Sequence, residues 1–247
     1  MKKILLCLYL FLTLSVALQA QVTIGPKVGL NVSTESYLFS GNYSGNVVLS
    51  RTPKIGYQVG AVMNIQLHNN FTIRPELLFN QVSTSTTFGD YYNDNTIINN
   101  TYNYISMPFN FVGTYYLGPG VFNLFIAPQV SIGVSGKYSQ QSDSSSSGTG
   151  LLPSNTSESG SLKPNQVPQN GGGNTTTWYF NPLNIGLNYG VGYQINHVLF
   201  TAQYSLGLTN TQPHYSDSYS ETHRNDIFSR SNGFTFALTY LFGKIER

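Results

Sequence analysis

The side chains best equipped for chemistry fall in two places. His214, Asp217, Glu221, His223 and Asp226 share one polar stretch. Imidazole nitrogens and carboxylates are metal ligands, yet this spacing matches no recognised metal motif, and polar loop composition accounts for it. Lys27, Arg74 and Glu76 sit in alternating apolar and polar segments. Buried together they form an ion network, because charge in a narrow interior must be paired. That network reads as structural filling, with a proton or ion path as the alternative. No G-x-S-x-G elbow, H-E-x-x-H pair or phosphate-cradling glycine loop before a helix occurs. No catalytic, cofactor-binding or metal residue is therefore assigned. Serine is abundant, so a hydrolase with Ser and His on a rim stays as an alternative without a named pair. His68 and His197 fall in turns.

The elements that must position these side chains are strands. In the stretch 179–195, Tyr179, Leu183, Ile185, Leu187, Tyr189, Val191, Tyr193 and Ile195 occupy one side of a period-two pattern. Asn184, Gly186, Asn188, Gly190, Gly192 and Gln194 occupy the other. The segment exceeds the usual five or six residues of a soluble strand. A tilted strand crossing a bilayer needs roughly 9–11 residues, apolar outward and polar inward.

Seven further segments alternate in the same way: 22–32, 54–67, 71–82, 102–117, 122–138, 198–210 and 232–242. The connections run strictly long, short, long. Residues 68–70, 118–120 and 196–197 make short turns, where Asn and Gly tolerate positive φ. Residues 33–53, 83–101, 139–176 and 211–231 make long polar loops, and 139–176 is a flexible low-complexity stretch. Short turns at one rim and long loops at the other, with an even strand count, predict an all-β, eight-stranded antiparallel up-and-down transmembrane β-barrel with long external loops. A soluble lipocalin-like barrel would have an apolar interior and charges outside, and here the Gly, Asn and Gln face is the coherent one.

Composition agrees. Charged residues make up 9% of the 247, well below the roughly 25% of a soluble domain. Residues 1–20 read as a signal peptide, with Lys2 and Lys3 before an apolar run and a cut near Gln21. The lone cysteine, Cys7, lies inside it, which leaves the remaining domain, 21–247, without thiol chemistry. Removing Lys2 and Lys3 leaves as many basic as acidic side chains, so nucleic acid is not an expected partner. The aromatics near strand ends, Tyr102, Tyr104, Tyr115, Tyr116, Tyr138, Trp178, Tyr179, Tyr193, Tyr240 and Phe242, are expected at the headgroup level, where a ring is half buried and its polar tip hydrated.

Six motifs along the chain carry a family resemblance: G-P-K-V-G-L-N (25–31), R-P-E-L-L-F (74–79), Y-I-S-M-P-F (104–109), F-I-A-P-Q-V (125–130), N-Y-G-V-G-Y-Q-I (188–195) and Y-S-L-G-L-T-N (204–210). In order and spacing the chain resembles the PorT-like outer-membrane β-barrels of Bacteroidetes. The resemblance implies fold and location more than activity, although the family's name-giving member is associated with protein secretion across the outer membrane. The resulting expectation is a non-enzymatic integral protein of the bacterial outer membrane with both termini periplasmic. Its partners would be membrane lipid and lipopolysaccharide, and an extracellular or envelope protein met through the external loops. A narrow pore or accessory of transport or secretion is the alternative.

Overall fold

A computed structural model describes residues 21–39, 48–89, 95–144, 154–165, 177–212 and 227–243. The strands are β1 (Gln21–Phe39), β2 (Val48–His68), β3 (Phe71–Gly89), β4 (Asn95–Leu117), β5 (Gly120–Ser144), β6 (Ser154–Pro164), β7 (Thr177–Phe180), β8 (Leu183–Ile195), β9 (Val198–Gly207) and β10 (Ile227–Tyr240). The signal-peptide expectation for 1–20 and the His214, Asp217, Glu221, His223 and Asp226 group lie outside the described residues.

Eight of these strands close a ring. The sheet order is β4-β3-β2-β1-β10-β9-β8-β5, and β5 pairs back with β4. All ring pairings are antiparallel. The short turns fall where expected, at 69–70, 118–119 and 196–197. Gly118 and Asn196 take φ of 60° and 51°, the left-handed region that glycine enters freely and asparagine tolerates. We call this end the turn rim and the opposite end the loop rim.

Alternation decides which side of the wall each residue takes. Val28, Leu30, Ile55, Leu77, Leu124 and Phe236 are exposed on the outside, while Asn31, Gln58, Thr72, Asn110, Asn123 and Asn188 are buried inside. The fold is thus turned inside out relative to a soluble sheet, the polar side chains forming its core. A recess of about 940 Å³ lies between Val28, Tyr57, Val191, Phe200 and Phe236, side chains of the outer face, so it belongs to the apolar belt and not to the lumen.

Three expectations need correction. The segment 179–195 is not one strand: β7 ends at Phe180, and β8 begins at Leu183 after a break at Asn181 and Pro182. Much of the predicted loops at 33–53, 83–101 and 139–176 is strand, because β2, β3, β4 and β5 continue far past the loop rim and β6 and β7 are added there. Low hydrophobicity did not prevent this. An existing strand edge supplies backbone partners, and polar side chains pair across the ladder, as Ser83 does with Thr101 and Thr96 with Ser142. Strict alternation also fails, twice on β2, between Pro53 and Tyr57 and between Gln66 and His68, and once on β5. Asn103 pairs with Ser135 but Tyr104 with Gly133, so Val134 is an extra residue on β5. This bulge reverses which side β5 presents above it.

Beyond the ring the sheet divides. β1 and β2 stay paired only up to Ser33 and Lys54. Past that point β1 runs on with β10, while β2, β3, β4, β5 and β6 form a second, projecting sheet. β5 shares one edge between two partners, β8 over Val121–Ile132 and β6 over Gly136–Ser144.

Candidate functional site: a lumen closed at two levels

In the turn-rim half the lumen is closed by polar side chains reaching over β2. Lys27 on β1 stands opposite Gly60 on β2, and Glu76 on β3 stands opposite Val62. With no side chain at Gly60 to obstruct it, Lys27 Nζ donates to Glu76 Oε2 at 2.7 Å, both groups being almost wholly buried. One step higher, Asn31 stands opposite Gly56, and its Nδ2 donates to Asn80 Oδ1 at 3.1 Å. A third bridge runs from Thr84 Oγ1 to Glu35 Oε2 at 3.3 Å. At Lys27 and Asn31 the contact between strands two apart is possible because glycine thins β2 between them, whereas Glu35 lies past Ser33, where β1 and β2 are no longer paired.

Arg74 is held differently. Its Nε donates to Asn64 Oδ1 at 3.0 Å and its Nη2 to Asn123 Oδ1 at 3.3 Å, while Asn110 Nδ2 donates to the Arg74 carbonyl at 2.7 Å. Of the three charged residues singled out from the sequence, Lys27 and Glu76 are brought into contact, and Arg74 lies beside them on amide oxygens.

At the loop rim the closure is aromatic. Tyr102 and Tyr104 from β4, Tyr138 from β5, Leu162 from β6 and Phe180 from β7 form the buried apolar cluster, with Val82 and Trp178 packed against it. The Phe180 ring lies 5.2 Å from Tyr102 and 5.9 Å from Tyr104, and Trp178 stacks on Tyr138 at 4.1 Å with a 12° interplanar angle. Gly133 makes room for Phe180, and a Cβ there would press on the Phe180 ring. Between the two closures remains a polar cavity of about 60 Å³, bordered by Asn31, Asn80, Tyr104, Gln129 and Asn188.

The aromatic residues expected at a headgroup interface therefore divide. Tyr102 and Tyr138 are 6% and 2% exposed and face inward, which overturns their placement on the lipid side. For Tyr138 the cause is the Val134 bulge, which reverses its side of β5. Trp178 and Tyr179 stand on β7, above the ring, and both line a cavity at its mouth. Tyr193, Tyr240 and Phe242 are at the turn rim. Tyr240 and Phe242 are exposed, Tyr240 stacks on His197 at 5.8 Å, and Tyr193 donates its hydroxyl to the Leu117 carbonyl at 2.9 Å.

The outward apolar belt, polar lumen, short turns and eight-strand ring are now all in place, and sequence comparison meets them. The family model described as the outer membrane protein beta-barrel domain matches residues 18–212. The chain belongs to that family. No curated protein matches it in sequence. Among solved structures, Neisserial surface protein A is 10% identical, with 90% of this chain and 97% of that one covered, at a TM-score of 0.35. Ail, the attachment invasion locus protein of Yersinia pestis, is 13% identical, with 90% and 99% covered, at 0.37. A second Ail structure, in complex with the heparin analogue sucrose octasulfate, is 11% identical at 0.36, again with 90% and 99% covered. In this outer-membrane barrel, sequence reasoning missed Glu35, Leu162 and Phe180. Phe180 alone carried a signal, since it falls on the inward side of the 179–195 alternation.

Proposed function

We propose that this outer-membrane protein is a closed, non-enzymatic barrel that acts through the strands projecting from its loop rim. The observation that carries the reading is the pairing of two features: a lumen filled at two levels, and a projecting sheet with open edges. Eight-stranded barrels are generally just wide enough for side chains to fill, and here ion pair, amides and aromatic rings fill the interior. Above, among the described residues, Val48–Pro53 of β2 pairs only with β3, and β6 above Ser161 pairs only with β5. Each free edge offers backbone donors and acceptors to an extended segment of a partner protein. In this reading the turn rim and both termini are periplasmic, the loop rim is external, and lipid and lipopolysaccharide surround the belt. Within the wider family we place the chain among the PorT-like barrels of Bacteroidetes.

Planar-bilayer recording on the purified, refolded protein tests it. The expected result is no stepwise conductance, and steady channel openings would favour the narrow-pore alternative. Protease added to intact cells should cut only at the loop rim. Cleavage at a short turn would reverse the orientation.

A further inference from the structure

Above the aromatic closure a cavity of about 130 Å³ opens at the loop rim. Its walls are aromatic: Tyr37 from β1, Phe88 from β3, Tyr102 from β4, and Trp178, Tyr179 and Phe180 from β7. Asn100, Thr211 and Gln212 supply the polar lining, and among the described residues no lysine, arginine or histidine borders it.

Two polar observations set its chemistry. Asn100 Oδ1 is buried without a hydrogen-bond partner among the described residues, an arrangement that costs free energy until a donor arrives. Glu35 lies behind the cavity floor and is 1% exposed. Its carboxylate accepts from Thr211 Oγ1 at 2.8 Å and Thr84 Oγ1 at 3.3 Å. Among the described residues the ion pair found is Lys27–Glu76, so none of them places a cation within ion-pair distance of Glu35. Thr211 and Tyr37 line the cavity and also reach Glu35, so a single layer of side chains separates the carboxylate from the space above.

Ring faces carry negative potential, an orphan acceptor requires a donor, and a buried carboxylate without a cation attracts one. A neutral sugar meets the first two demands but leaves the charge alone. An ammonium group meets all three. We propose that this mouth cavity binds a small organic ammonium ion. Its N–H donates to Asn100 Oδ1, its apolar body lies against the rings, and Glu35 supplies the balancing charge.

Trp178 is the only tryptophan in the chain, so intrinsic fluorescence reports on this cavity directly. The full chain, refolded in detergent, is titrated at constant ionic strength with cyclohexylammonium chloride, with neutral cyclohexanol and with N-acetylglucosamine. A saturable change with cyclohexylammonium, and binding about tenfold weaker or absent for both neutral probes, is expected. Glu35→Gln and Asn100→Leu should each weaken cyclohexylammonium binding by about tenfold. Equal binding of cyclohexanol or the sugar would overturn the proposal, as would unchanged affinity in Glu35→Gln. Should either variant fail to form the heat-modifiable barrel, the comparison of charged and neutral probes on the wild-type chain decides alone.

Discussion

The polar half of the lumen and the aromatic plug above it close one barrel, but they depend on different parts of the chain. The Lys27–Glu76 pair and the Asn31–Asn80 bridge come from strands β1 and β3, which flank β2. The plug draws on β4, β5, β6 and β7, and two of those strands lie outside the eight-strand ring. The difference teaches that a lumen can be filled by the wall itself or by a segment that leaves the wall and returns.

The comparison is sharpened first where the largest effect is expected. Lys27→Met leaves Glu76 buried without its partner and should cost about 3–5 kcal/mol in urea unfolding of the refolded barrel. The double variant Lys27→Met/Glu76→Leu should recover most of that, since removing both charges removes the penalty. A single-variant loss near zero would mean the pair is solvated and the polar closure is not one. Phe180→Ala comes next, at about 3 kcal/mol, and it should act locally. Amide exchange should quicken at the loop-rim ends of β4, β5 and β6, while strands near Lys27 keep their protection. Uniform loosening would merge the two closures into one cooperative unit.

Gly133→Val is expected to cost about 1–3 kcal/mol, because the new side chain meets the Phe180 ring. The smallest effect concerns the outer side of the plug. Tyr138 donates its hydroxyl to Glu158 Oε1 at 2.8 Å, and its phenol is pushed up to about 12 by burial, then by the hydrogen bond to Glu158 and the charge of its carboxylate. The folded state thus favours the protonated phenol. That contribution is present below the ordinary tyrosine value near 10 and is lost as pH rises toward 12. Glu158→Gln should lower the phenolate midpoint seen in ultraviolet titration, at a stability cost of about 1 kcal/mol. An unmoved midpoint would show that Glu158 has no hold on the plug.

The polar closure was legible in the sequence and the aromatic one was not, for physical reasons. Inward placement of Lys27, Arg74 and Glu76 needs only a period of two within unbroken strands, and the register then brings Lys27 to Glu76 over Gly60. The plug depends on an irregularity. Nothing in the composition of 122–138 marks Val134 as the extra residue, so counting by two puts Tyr138 on the wrong side. The projecting strands were hidden for a related reason. Ser, Thr and Asn supply little burial of their own, and their strand state is imposed by the neighbouring edge. Glu35 fell inside a segment read as loop, where a carboxylate attracts no notice.

The division of one β5 edge between β8 and β6 has a consequence for how such a chain tolerates change. Ring closure rests on the pairing of Val121–Ile132 with β8 and does not involve β6. The excursion from Ser144 to Asn181 is thus topologically a graft, removable in principle without opening the ring. Yet it returns Leu162 and Phe180 to the interior. Any lengthening, shortening or exchange of that graft is therefore transmitted inward, and the surface of the protein cannot diversify at this point without altering the seal beneath it.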